Sequence, residues 1–302
     1  MKKTSLFTIL ALLLTFVLAG CSGGGDTPAA NDDAPAEATQ EEMDAAVEKI
    51  KEKGELVLAT SADYPPYEWH LLKDGKDEIV GFDIEIAKAL ADSMGVKLTV
   101  KDLDFEGIIP SISTGQADIG IAGLSATPER RNAVSFTIPY YENNQVILVK
   151  KDVADQYNGM EDFAGKKVGA QTGSVQETTI KENFPKDVEL LSLSRLNNLV
   201  LEVKNGTADG LVISRSSGAQ YAQQNPELVS KKIDIPDEPG VCIALNKDNK
   251  ALTAYFNQEL KKLIDEGQIE KWIVEYEQLA SESAGAEGAE AEGAAEEAPA
   301  AE

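Results

Sequence analysis

Histidine occurs once in this 302-residue chain and cysteine twice, and 28 lysines and arginines stand against 52 aspartates and glutamates. Each scarcity excludes a class of protein. Two cysteines exclude a disulfide framework. With His70 as the sole histidine there is no Cys/His cluster for structural zinc, no clustered metal ligand set, and no Ser-His-Asp constellation to nominate. A formal net charge of -24 argues against nucleic acid as a partner, because phosphate neutralisation needs clustered Lys and Arg. The apolar run LFTILALLLTFV near the start is shorter than the roughly 20 residues that span a bilayer.

What is present at the ends is not domain-like. Met1-Lys2-Lys3, the apolar run and the small residues before Cys21 describe an export signal. Residues 22–46 and 281–302 are low-complexity stretches of Ala, Gly, Pro and acids, each with seven acidic residues and no basic one. Such stretches have too little apolar bulk to repay the entropy of ordering and are expected to be solvated tethers. Residues 47–280 then hold 38 acids against 26 bases, a net charge near -12. Cys242, in GVCIAL, is expected to pack as a small hydrophobe.

From Glu55 onward apolar runs alternate with amphipathic stretches, the pattern of an α/β protein with largely parallel sheets. LVLAT reads as a buried strand. Asp83 is placed to cap a helix whose Ile86, Ala87, Leu90 and Met94 share a face and which Gly95 ends. The order then repeats: a helix ending in Gly, an Ala-Asp pair and an apolar strand occur in TGQADIGIAGLS and again in NGTADGLVIS. Two similar lobes follow, with QVILVKK and GVCIALNKD as the strands that cross between them and form a hinge. The expected organisation is a signal peptide over 1–20, a disordered acidic tether over 21–46, lobe one over 47–144, lobe two over 145–240, the C-terminal part of lobe one over 241–279, and a disordered acidic tail over 280–302. A cleft between the lobes is the expected ligand site.

In GLSATPERR, Thr127 is a good N-cap and Pro128 a good first helical residue, so a helix start with free N–H groups is expected there. Such an end accepts an anion, and the Arg130 guanidinium adds a fork suited to a carboxylate; Arg131 is expected to face solvent. TGSVQE places Ser174 three residues before Glu177, a capping box that starts a second helix.

TSADYPPYEW, IVGFDIEIAKALA, FEGIIPSISTGQADIGIAGLSATPERR, FTIPYY, GKKVGAQTGS and NGTADGLVI, in this order, resemble the polar amino-acid-binding proteins that feed ABC importers. The resemblance covers about residues 54–278. It implies a two-lobed periplasmic-binding-protein-like fold of type II, with a two-strand hinge and a ligand cleft between the lobes. It implies that Ala122, Gly123, Ser125 and Arg130 hold a ligand's α-carboxylate and, through backbone groups, its ammonium. Gln171, Ser174, Val175 and Gln176 would reach the ligand from lobe two, and Tyr64 and Phe105 would sandwich its stem. Glu68, Trp69 and Tyr141 would line the far end. Leu18-Ala19-Gly20-Cys21 resembles a lipobox, which implies lipidation of Cys21 and anchorage at the outer face of the cell membrane or facing a periplasm. The implied partners are a small-molecule ligand, an amino acid first, and a membrane permease; no cofactor is implied, and the protein is expected to be a monomer.

The chain departs from that pattern at two places. Ser214 stands where many relatives carry an aspartate that pairs the ligand's ammonium, and Ser61 where many carry an acid three residues before the first aromatic. An unpaired desolvated ammonium is costly, so another acid is required, Asp63 and Glu68 being nearest in sequence. Two other functions fit the same fold. One is a dehydratase acting on a cyclic substrate, with Glu68 or Asp63 as proton donor. The other is the ligand-sensing module of a receptor, which would need a membrane helix after residue 278.

Overall fold

The computed structural model describes residues 38–142 and 144–296. The export signal, Cys21 and the first part of the tether lie outside them. In lobe one the chain runs through α1 (Gln40–Lys53), β1 (Glu55–Thr60), β2 (Asp63–Tyr64), β3 (Glu68–Lys73), β4 (Lys76–Val80), α2 (Phe82–Met94), β5 (Lys97–Asp102), α3 (Ile108–Ser113), β6 (Ile119–Gly120), α4 (Pro128–Arg131) and β7 (Val134–Phe136). Lobe two follows with β8 (Gln145–Lys150), β9 (Lys167–Gln171), α5 (Val175–Asn183), β10 (Glu189–Leu193), α6 (Leu196–Asn205), β11 (Gly210–Ser214), α7 (Arg215–Gln224) and β12 (Leu228–Lys231). The chain returns to lobe one for β13 (Ala244–Asn246), α8 (Lys250–Asp265) and α9 (Gln268–Glu296).

Each lobe is built on a five-stranded sheet of the same plan, β5-β1-β6-β13-β7 in lobe one and β10-β9-β11-β8-β12 in lobe two. In both, the first three strands and the fifth run in one direction, and the fourth, β13 or β8, is antiparallel to its two neighbours. Helices cover both faces, which is why LVLAT is buried along its length. The repeated Ala-Asp has one structural job in each lobe. Asp118 accepts the Val57 N–H at 2.7 Å and Asp209 accepts the Lys167 N–H at 2.9 Å, so each aspartate satisfies the start of the neighbouring parallel strand.

Several expectations change. QVILVKK and GVCIALNKD supply β8 and β13, which belong to the lobe sheets themselves. The crossings lie beside them and are irregular, joined by a bridge between Tyr141 and Val241. The hairpin of β3 and β4 has no counterpart in the sequence reading; Asp74 and Gly75 form its turn at φ 52° and 74°. Gly81, not Asp83, caps α2, and a side chain there would meet the Tyr67 carbonyl oxygen.

The acidic ends also form more helix than their composition suggests. Within the stretch expected as a tether, Thr39 and Glu42 make a reciprocal capping box, and Met43 and Ala46 there join Val47 and Ile50 of the expected lobe one in burying one face of α1. Where a disordered tail was expected from residue 280, Ala280 is fully buried and α9 continues to Glu296, consistent with the helix preference of Ala and Glu. Helix α9 touches both lobes: Tyr276 donates to Glu85 on α2, and Gln220 on α7 donates to the Glu277 carbonyl.

Candidate functional site

The lobes lie closed on each other. Across the gap, Asp63 accepts the Leu196 N–H at 2.6 Å, the Ser214 N–H reaches the Tyr64 hydroxyl at 3.3 Å, and Arg195 pairs with Asp102 and Asp104 at 2.9 and 2.8 Å. These contacts enclose a cavity lined by Ser61, Tyr64, Glu68, Phe105, Ala122, Gly123, Gln171, Ser174, Gln176 and the apolar ends of lobe two. Eight residues expected at the ligand, together with Ser61, therefore surround one space, and two more, Ser125 and Arg130, stand beside it.

Arg130 takes its place as the local sequence dictates. Thr127 accepts the Arg130 N–H at 3.2 Å and Pro128 begins α4, which turns the side chain back over its own loop. The guanidinium donates to the Ser125 carbonyl at 2.8 Å and, across the gap, to the Gly173 carbonyl at 3.0 Å, and it lies 5.3 Å from the Phe105 ring centre. Burial brings its pKa down to about 10, against the opposing pull of Glu238. Arg131 differs from expectation: it donates to the Ala126 carbonyl and covers the Phe136 ring instead of extending into solvent.

From lobe two, Ser174 caps α5 by accepting the Glu177 N–H at 3.1 Å. The expected capping box is modified, since Glu177 accepts from Gly173, one residue earlier than Ser174. Gln176 turns into the gap, whereas Val175 lines the open groove next to Arg130 and Gly173. Gln171 donates to the Ser194 carbonyl at 3.0 Å. Ser214 is fully buried and its hydroxyl accepts the Ser217 N–H, capping α7.

Part of the cavity wall is carboxylic. Glu68 is 0% exposed and neither carboxyl oxygen accepts a hydrogen bond among the described residues; its polar neighbour is the Asp83 carboxyl, to which a protonated Glu68 donates. Burial, then the nearby Asp83, raises its pKa well above the carboxylate range. Asp83 is itself occupied, accepting the Gly123 N–H at 3.0 Å and the Tyr140 hydroxyl at 2.8 Å, and burial places it at about 6. Gly123 holds φ 56° with the Tyr64 ring against it, a place where a side chain would be both strained and crowded. Tyr64 stacks on Tyr67 at 4.9 Å. Trp69 and Tyr141 are absent from the cavity wall: Trp69 packs edge-on to Tyr276, and Tyr141 against Tyr67 and Phe82. His70 lies on β3, beside Asp77 and Asp102.

Two acids matter here in ways the sequence does not indicate. Asp63 spends its carboxylate on the start of α6 and is raised to about 6 by burial, an effect the Leu196 N–H reduces. Glu238, on the return crossing, accepts from Ser125 Oγ at 3.4 Å and from Gln176 Nε2 at 3.2 and 3.3 Å. Burial raises it to about 7, although Arg130 draws it down. PDEPG reads locally as a turn, and no periodicity points this acid inward.

This arrangement brings amide donors, aromatic rings and a buried carboxyl that no donor reaches onto one closed cavity, with a guanidinium beside it. The arginine-binding extracellular protein ArtP of Bacillus subtilis is 39% identical over 224 residues, covering 72% of this chain and 84% of that protein. ABC transporter arginine-binding protein 1 of Escherichia coli is 35% identical over 218 residues, covering 71% and 87%. The crystal structure of the amino acid ABC transporter substrate-binding protein AbpA from Streptococcus pneumoniae bound to L-arginine superposes with a TM-score of 0.74 at 34% identity, covering 77% of this chain and 98% of that one. With its residues 56–277 matching the family model, this chain belongs to the bacterial extracellular solute-binding proteins, family 3.

Proposed function

We propose that this protein is the extracytoplasmic receptor of an ABC importer and that its ligand is a cationic amino acid, arginine foremost. The observation that carries the ligand is Glu68. A sealed carboxyl that no donor reaches, set beside the Asp83 carboxyl, is costly to ionise, and a ligand cation placed against it turns that cost into a charge-assisted pair. The rings of Tyr64 and Phe105 suit the stem and the flat face of a guanidinium. At the other end Arg130, Ser125 and the start of α5 suit the α-carboxylate. Relatives named for arginine support the same reading. Capture proceeds by hinge closure, because donors for the ligand come from both lobes and neither lobe alone completes the site.

Delivery to a membrane permease then follows, with the protein held near the membrane by a lipid on Cys21. We infer a receptor that releases its ligand unchanged. Calorimetry with arginine, lysine, histidine and glutamine tests the ligand: arginine should bind tightest, and Glu68→Gln should weaken it about 30-fold or more. Glutamine binding as tightly as arginine to the unaltered protein would overturn the cationic reading. Mass spectrometry of ligand recovered after binding should find it intact.

A further inference from the structure

The chain lacks an acid at the two positions, Ser61 and Ser214, where the resembled family often carries one, and the ligand's ammonium needs a partner elsewhere. The buried acids differ in what they are free to do. Asp63 holds the Leu196 N–H at 2.6 Å, and Asp83 holds the Gly123 N–H and the Tyr140 hydroxyl. Glu68 lines the cavity beside Asp83, and none of the contacts that hold Ser125, Arg130 and Gln176 involves it.

Glu238 is placed differently. It enters from the crossing segment and meets Ser125 of lobe one and Gln176 of lobe two at once, with the charge of Arg130 close enough to lower its pKa. In an α-amino acid one carbon separates carboxylate from ammonium. The acid that pairs the ammonium must therefore stand next to the donors that take the carboxylate, as Glu238 does through its contacts with Ser125 and Gln176. A cationic amino acid brings two positive groups and one negative; its cations would draw Glu68 and Glu238 down from their raised values into the charged form, and Arg130 supplies the one positive partner.

We propose that Glu238 is the counter-ion of the ligand's α-ammonium, a specificity-determining residue that replaces, from the hinge, the acid absent at Ser214. This deepens the receptor reading and rests on its amino-acid ligand. Because the carboxylate and ammonium are common to all amino acids, it stands independently of the preference for a cationic side chain.

The test compares L-arginine with 5-guanidinopentanoic acid, which is arginine without its α-amino group, on the unaltered protein and on Glu238→Gln. The variant should lose about 30-fold or more of its affinity for L-arginine and keep that for the desamino compound within about twofold. Equal losses for both compounds would show a structural role in the hinge and overturn the proposal. Unchanged or tighter arginine binding would also overturn it, showing that Glu238 merely competes for the carboxylate's donors. Glu238→Ala gives the same comparison should the glutamine variant fold poorly. If the unaltered protein prefers L-glutamine, the cationic reading fails by itself, and Glu238 is judged in the same way with L-glutamine and glutaramic acid.

Discussion

The Asp63 carboxylate of lobe one accepts the Leu196 N–H of lobe two at 2.6 Å, so an acid on one half closes the amino end of a helix on the other. The Tyr221 hydroxyl donates to the carbonyl of the same Asp63 at 2.7 Å. Closure is thus registered by hydrogen bonds outside the ligand's own donors.

Arg195 reinforces that registration at the surface, through Asp102 and Asp104. Arg195→Ala should shift the unliganded protein toward open forms, seen as a larger radius of gyration by small-angle scattering. Partly exposed pairs contribute at most about 1 kcal/mol, so the ligand affinity should fall by no more than about fivefold, and less at high salt.

Arg130 and Arg131 separate binding from packing. Arg130→Ala should cost about 100-fold in affinity for L-arginine by calorimetry. Arg131→Ala should leave affinity within about twofold and lower the melting temperature, because its guanidinium covers the Phe136 ring inside lobe one.

The duplicated aspartates should behave as duplicates. Asp118→Ala and Asp209→Ala each leave a strand N–H unpaired, at Val57 and Lys167, and should each destabilise by about 1–3 kcal/mol in denaturant unfolding. Because they reside in different lobes, their effects should add to within about 0.5 kcal/mol.

His70, as the single histidine, can be followed without assignment experiments by NMR titration. Burial lowers its pKa, and the hydrogen bonds to Asp77 and Asp102 more than offset this, leaving it above the ordinary histidine value of 6.5. A basic group raised in the folded state stabilises fully below its unfolded pKa and loses that contribution as pH rises through the folded value. His70→Gln should therefore remove a stability component present below pH 6.5 and fading above it, measured as the difference in melting temperature between the two proteins.

The parts of the site legible in the sequence are those set by local chemistry. GLSATPERR announces its cap, proline and helix within four residues, and Thr127 and Pro128 hold those places. TGSVQE does the same for Ser174. Asp83 misleads because an acid near a helix start resembles a cap; its inward role depends on Gly81, where the chain passes too close to Tyr67 for a side chain. Glu238, and the task of Asp63 at the start of α6, are not legible because the partners lie in the other lobe or on another segment, more than 60 residues distant. The helical ends are obscured by composition: the buried face of α1 is a short 3-4 repeat within an acidic, alanine-rich stretch.

In lobe one's sheet, β13 sits between β6 and β7. Those two strands have no ladder between them until a segment made more than a hundred residues later slides into the slot. Lobe two, by contrast, is continuous from β8 to β12. As the polypeptide emerges, the inner half can complete its sheet first, and the outer half must wait, holding an open seam, for the return of the chain. The hinge is therefore also a timetable: the last strand of the outer sheet is placed only after the inner half has been threaded through.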